Sequence, residues 1–356
     1  MVAVVDPLEL VVVAFAGGAF GAAVGALEAF SLAGVLVVVG EAVDVAADGV
    51  PGPSGDPAAL GSSGLTALTG LGPLFGPHVA FAGGAAATAF AARQGYLDSD
   101  FDYHEAKHVT AALGPRADVM AVGGAFGVVG VGLVAASVRL GLPFDPISFG
   151  IVVSGLLHRL VLGFPLVGTV RGETPLDMTP YERRIRRPPR ADGGDNRRRF
   201  AVEPWLPGQS DPARAALLGA VVGVVGAFLT YRTGSPFLAF GLAAATLLFH
   251  CAGVERVPVT HHAALVASLA VVGLAGGAAT PTAFAAATSL AVALLVGAVF
   301  GAVTALAAEL AQRLLYAHAD THLDPPAVGI LVGTSLIVLL DLIGVFQQSL
   351  LPTLGL

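Results

Sequence analysis

The stretch GAFGVVGVGLVAASVRLGLPFDPISFGIVVSG, residues 124–155, contains an apolar run ending in arginine, a short Gly/Pro break, and Asp-Pro opening a second apolar run. The pattern returns near the C-terminus. GAVFGAVTALAAELAQR (297–313) repeats the first part, pairing Phe126 with Phe300, Gly127 with Gly301 and Arg139 with Arg313. DPPAVGILVGT (324–334) repeats DPISFGIVVSG (145–155), pairing Asp145-Pro146 with Asp324-Pro325, Gly150-Ile151 with Gly329-Ile330, and Val153 with Val332. The second copy carries five more residues between its two parts. Weaker echoes precede these: VGALEAF (24–30) against VGAFLTY (225–231), and His78 near His261. The chain reads as a duplication.

Each repeated unit is built of apolar blocks. The 356 residues are 55% hydrophobic and 12% charged, with a mean hydropathy of +0.80. Soluble domains carry roughly 25% charged residues, and a stretch of roughly 20 apolar residues spans the hydrocarbon core of a bilayer. Apolar blocks at 8–27, 29–46, 74–92, 117–138, 146–169, 212–231, 236–253, 259–277, 284–312 and 326–346 predict an all-α, polytopic integral membrane protein of about ten transmembrane helices. Blocks 29–46 and 236–253 are short and glycine-rich, so broken or re-entrant helices are expected there. Residues 1–92 contain no Lys or Arg, which removes the positive region of a signal peptide; the first block is expected to remain as a transmembrane helix.

Charge orients the blocks. The loop 170–211 holds RRIRRPPR (183–190) and NRRRF (196–200), and basic loops stay cytoplasmic. Five blocks precede it, so both termini are expected outside a cell membrane. On that topology only Arg139 and Arg232 of the 18 basic residues fall outside, and the acidic, Gly/Ser/Pro-rich loop 47–73 falls outside too. A five-helix unit is odd, so its second copy enters the bilayer from the opposite side. The expected organisation is a first repeat over 1–169, a basic linker over 170–211 and an inverted second repeat over 212–356. Inverted repeats are an architecture of secondary transporters, with the substrate held between the repeats near the midplane.

The stretch AGGAFGAAVGALEAFSLAGVLVVVGEA (16–42) resembles the openings of permease-like membrane proteins of halophilic archaea that have no characterised function. It is also similar to the glycine-rich hairpin of tripartite tricarboxylate carriers, with Glu28-Ala29 where that family has Pro-Gly. The halophilic likeness agrees with 17 arginines against one lysine and with 16 Asp against 9 Glu. The single cysteine, Cys251, excludes an intramolecular disulfide. The only basic cluster flanks the membrane, which argues against a nucleic-acid partner.

Ionisable groups inside spans are costly and mark candidate sites. Glu41, His158, Arg159, His250 and Asp341 are such residues. His158, Arg159 and His250 form an expected inner layer suited to an anion. Glu41 and Asp341 form an outer layer able to carry a coupling proton or sodium ion. Glu309 and Arg313, one turn apart, read as a structural pair. Glycines at four-residue spacing, Gly17, Gly21 and Gly25 and then Gly123 and Gly127, predict close helix packing within the chain or in a homo-oligomer.

One motif points elsewhere. HEAKH (104–108) has the H-E-x-x-H spacing with which a helix holds zinc through two histidines and places a glutamate as general base. His104 and His108 are the candidate metal ligands, and His318 and His322 repeat the spacing in HADTH. The motif lies in a cytoplasmic loop and no downstream element completes a protease site. The expected function is therefore a secondary transporter or permease for a small solute or ion, with no resident cofactor and not an enzyme. The alternatives are a membrane zinc metalloprotease using HEAKH, and a structural or channel-forming oligomer.

Overall fold

A computed structural model describes residues 6–47, 64–97, 101–187 and 199–351. Most of the acidic 47–73 loop, residues 98–100 and residues 188–198 of the basic linker lie outside the described residues. Regular structure among the described residues is helical, apart from one isolated bridge between Arg186 and Phe200.

Aspartate followed by proline starts the helices of both halves. An N-cap carboxylate accepts an otherwise orphaned backbone N–H, and proline at the first helical position forfeits no hydrogen bond. Asp6 receives the Leu8 N–H at 2.8 Å and opens α1 (Pro7–Val24); Asp211 receives the Arg214 N–H at 2.8 Å and opens α6 (Pro212–Thr233). Asp145 receives the Ser148 N–H at 2.6 Å and opens α5 (Pro146–Val161); Asp324 receives the Ala327 N–H at 3.0 Å and opens α11 (Pro325–Leu342). Between these lie α2 (Ala26–Ala47), α3 (Ala80–Arg93), α4 (Ala117–Arg139), α7 (Leu238–Ala245), α8 (Leu247–Cys251), α9 (His261–Leu274) and α10 (Leu290–Ala311). Only Gly25 separates α1 from α2. Its φ of +107° bends the chain where a side chain would be strained.

Glycine carries the tightest packing. In α1 against α4, a Cβ added at Gly18 would strike the Gly123 carbonyl, and one at Gly127 would strike the Ala14 carbonyl. In α6 against α10, a Cβ at Gly223 would strike the Gly297 carbonyl, and one at Gly301 the Gly219 carbonyl. The contacts match position for position. Gly21 meets Ala80 of α3 as Gly226 meets Ala264 of α9, so by contacts Gly226 answers to Gly21 and not to Gly25, one turn away from the register of VGALEAF against VGAFLTY. These small-residue faces pack against one another within the chain.

Helices α3 and α9 are the most enclosed elements, with eleven and thirteen of their fourteen residues buried. Helix α3 packs on α1 and α4, and α9 packs on α6 and α10. Helices α5 and α11 run antiparallel: the Asp145 N–H reaches Thr334 Oγ1 at 3.1 Å, while Gly155 approaches Leu323.

A helix occurs in each of the ten expected apolar blocks, but among the described residues six helices are long and apolar enough to cross a membrane. Those six lie over Pro7–Val24, Ala26–Ala46, Ala117–Arg139, Pro212–Thr233, Leu290–Tyr316 and Pro325–Leu342. The other four blocks hold shorter helices. Block 29–46, where a break was expected, instead lies within the single continuous helix α2. Block 236–253 is broken at Thr246, whose hydroxyl donates to the Ala243 carbonyl at 2.7 Å and competes with the helix ladder. In block 284–312 a short helix, Pro281–Ala287, ends before Ser289 caps α10 afresh. Large apolar side chains such as Leu8, Val12, Leu217, Val221 and Leu295 face outward, which suits lipid.

HEAKH is not helical. Residues Glu105–Lys107 form a single 3-10 turn, and His104 caps it by accepting the Ala106 N–H at Nδ1, 3.0 Å. The one-face geometry on which the zinc reading rests is absent. HADTH likewise lies in turns and bends.

Candidate functional site

A cavity of about 670 Å³ lies between the two halves, within the range of small-molecule sites. The first half contributes Leu27 and Phe30 of α2, Phe81 of α3 and Ile151 of α5. The second contributes Phe240 of α7, His250 of α8, His261 of α9 and Ile330 of α11. Connecting segments complete one end with Phe101, Tyr103, Tyr181, Phe200, Trp205 and Tyr316. The wall is therefore largely apolar and aromatic.

Its polar groups are few. His261 lies between Phe30 and Phe240, with ring centroids 4.6 and 5.8 Å away. His322 packs edge-on to Phe81 and Tyr316 at 5.5 and 5.3 Å, and its Nε2 faces the Asp324 carboxylate at 3.5 Å. His108 stacks on Phe101 at 4.5 Å. The Nδ1 atoms of all three rings are buried without a hydrogen-bond partner among the described residues. Asp145 and Asp324, the N-caps of the corresponding helices α5 and α11, both line the cavity.

One end of the cavity is closed by ion pairs. Lys107, the only lysine, is 2% exposed and donates to Glu203 Oε2 at 2.7 Å, with its ammonium 4.4 Å from the Tyr316 ring centre. Burial pulls the Lys107 pKa below the ordinary lysine value, opposed by the Glu203 carboxylate. Arg187 and Arg199 approach Glu203 at 3.8 and 3.7 Å and donate to Asp320 at 3.1 and 2.9 Å. This network joins the loop after α3, the linker and the segment before α11.

Of the five ionisable residues expected inside spans, only His250 lines the cavity. Glu41 is buried elsewhere, accepting from Thr66 Oγ1 at 2.8 Å and Ser235 Oγ at 2.5 Å, so it ties α2 to the turn at Thr66–Gly70 and to the entry of α7. His158 meets Thr321 Oγ1 at 3.1 Å. Arg159 is fully buried and donates to Thr321 Oγ1, Thr321 O, Leu166 O and Leu315 O. The structure thus brings His158 and Arg159 together at one threonine, while His250 stands apart at the end of α8. Asp341 is partly buried and accepts the Ser349 N–H at 2.8 Å. Arg159 and Asp341 are not paired. Glu309 and Arg313 form the expected i,i+4 pair at 2.7 Å.

His104 packs edge-on to Phe164 at 5.8 Å, whereas His108 faces Phe101. Among the described residues no group of three or more His, Cys, Asp or Glu side chains is placed to hold a metal ion. The cavity residues not proposed as site residues from sequence are Asp145, Asp324, His261 and the aromatic wall, while His322 stood out only for its spacing from His318. A signal for the two aspartates existed in the duplicated Asp-Pro.

These features define the class: an all-helical protein with several long apolar helices, compatible with a multi-pass membrane protein, and a cavity between the two halves of the chain. Residues 1–354 match the model of a family of unknown function, DUF7973, and the chain belongs to that family. Neither a curated protein nor a solved structure matches it.

Proposed function

We propose that this protein is a secondary transporter or permease that moves a small solute by alternating access between two inverted-topology repeats. The observation that carries this reading is the cavity, which both halves line through corresponding elements: α3 with α9, and α5 with α11. The inversion is supported by the antiparallel course of α5 and α11, helices opened by the same Asp-Pro, side by side. The matched glycine contacts of α1 with α4 and of α6 with α10 support the duplication.

The short helices α3 and α9 occupy corresponding central places, and each is preceded by a non-helical approach, residues 71–79 and 252–260. Non-helical backbone at membrane depth is tolerated where it is buried in protein or lines a cavity, and short or broken helices in corresponding positions mark transporter sites. On this reading the ten helical blocks all lie in the cell membrane, the short ones shielded by the long ones. The linker 170–211 lies on the cytoplasmic face, with both termini outside. The ion pairs around Lys107 and Glu203 then form the cytoplasmic gate in its closed position.

Access from both sides tests the reading. In a Cys251→Ser background, Phe240→Cys is expected to react with a membrane-impermeant thiol reagent added to either face of sealed vesicles. Reaction from only one face, under every solute and ion condition tried, would sink alternating access.

A further inference from the structure

We propose that the cavity takes an organic ammonium, a protonated amine carrying an apolar, aromatic-sized body; this rests on the transporter reading for its role, though not for its binding chemistry. Three observations lead there. First, charge: the wall holds the carboxylates of Asp102, Asp145, Glu255 and Asp324 against one ammonium, Lys107, which is already neutralised by Glu203 at 2.7 Å. Asp102 is paired with Arg186 and Glu255 is exposed, which leaves the two N-cap aspartates as the enclosed carboxylates.

Second, acceptor capacity. An ionised carboxylate accepts at about four sites, and the caps use only part of that at Asp145 and Asp324. The Nε2 of His322 faces the Asp324 carboxylate at 3.5 Å, and its Nδ1 is buried without a hydrogen-bond partner among the described residues. His261, 5% exposed on the same wall, also has an unpartnered Nδ1. Buried polar atoms are normally paired. A ligand that donates N–H bonds completes this wall, and one that brings a carboxylate meets repulsion.

Third, ring faces. The rest of the wall is dominated by Phe and Tyr side chains with Trp205, which attract a cation to their faces and bury an apolar body. The two aspartates are also well separated. Asp145 sits against Thr334, ten residues along α11 from Asp324, about 15 Å at 1.5 Å per residue. Each half therefore supplies one station for the ammonium, and a passage between the halves hands it from one carboxylate to the other.

Trp205 is the only tryptophan and lines the cavity, so its emission reports occupancy directly. The full chain, purified in detergent, is titrated with 2-phenylethylammonium, 2-phenylethanol and phenylacetate, which share the ring and differ in charge. The ammonium is expected to change the Trp205 emission saturably, at concentrations at least tenfold below those needed for the alcohol or the anion. Asp324→Asn is expected to weaken the ammonium at least tenfold and to leave the alcohol unchanged, since asparagine caps a helix as well as aspartate. Asp145→Asn provides the same comparison at the other station, and melting curves identify any variant that fails to fold.

Equal or tighter binding of phenylacetate or the alcohol overturns the proposal. So does silence of Trp205 to all three compounds, or retention of full ammonium affinity in both folded aspartate variants. If the ammonium binds but reconstituted vesicles do not carry it, the transporter reading falls and the site chemistry stands. If the vesicles carry the anion instead, the proposal falls and the transporter reading stands.

Discussion

Arg159 shows how a residue flagged by cost alone finds its role in the structure. Its guanidinium is fully buried, yet four oxygens of the segment around Leu315–Thr321 and of Leu166 take up its donors. It fixes the end of α5 to the turn before α11. Removing it strands those acceptors, so Arg159→Gln is expected to lower stability by about 1–3 kcal/mol, read as a lower melting temperature in detergent; melting like the wild type would remove this role. His318 makes a second prediction. Its Nε2 faces the Pro175 carbonyl at 3.1 Å and its Nδ1 accepts the Arg171 N–H at 3.3 Å, which suits the neutral ring only. Burial lowers the pKa of His318 and of His108 below the ordinary imidazole value. Below about pH 6.5 the unfolded chain therefore binds more protons than the folded one. Stability is full above that pH and falls as the pH drops toward the folded values. The melting temperature should be level from about pH 8 to 7 and decline below about 6.5, with His318→Gln reducing the decline; a level or rising profile on acidification counts against it.

Among the elements, the glycine faces decide the packing. Gly18 and Gly223 hold the same place in α1 and α6, each beneath a backbone carbonyl of its partner helix. Gly18→Ala and Gly223→Ala are expected to cost about 1–3 kcal/mol each through overpacking. Gly132→Ala and Gly208→Ala, where a Cβ meets open space, serve as controls. Thermal melts of the four variants check this, and equal melting of all four would refute it. The spacing of Gly17, Gly21, Gly123 and Gly127 was legible in sequence, but Gly18 and Gly223 and the partners of all of them were not, because Gly- and Ala-rich helices offer many equivalent faces. The HEAKH segment failed for a different reason. Its spacing implies a helix only if the backbone is helical, and the loop instead turns once so that Lys107 can reach Glu203, 96 residues away.

For the whole molecule, the prediction concerns sidedness. Leu140, at the end of α4, and Glu182, in the linker, fall on opposite sides of the proposed topology. In a Cys251→Ser background, Leu140→Cys should react with an impermeant reagent added outside intact cells and Glu182→Cys only after the cells are opened. Reaction of both from one side would discard the inverted arrangement. By itself the sequence determined the helical class and the order of the apolar blocks, and it suggested a duplication, because hydropathy, Asp-Pro starts and charged loops act locally along the chain. It located the dear residues, Glu41, His158, Arg159, His250 and Asp341, but did not say which of them share a space. Only the tertiary structure decided that. Burying a polar group costs desolvation energy wherever it lies, and whether that cost is met by another segment, as at Glu41 and Arg159, or left open toward a cavity, as at the Nδ1 atoms of His261 and His322, depends on contacts between segments far apart in the chain.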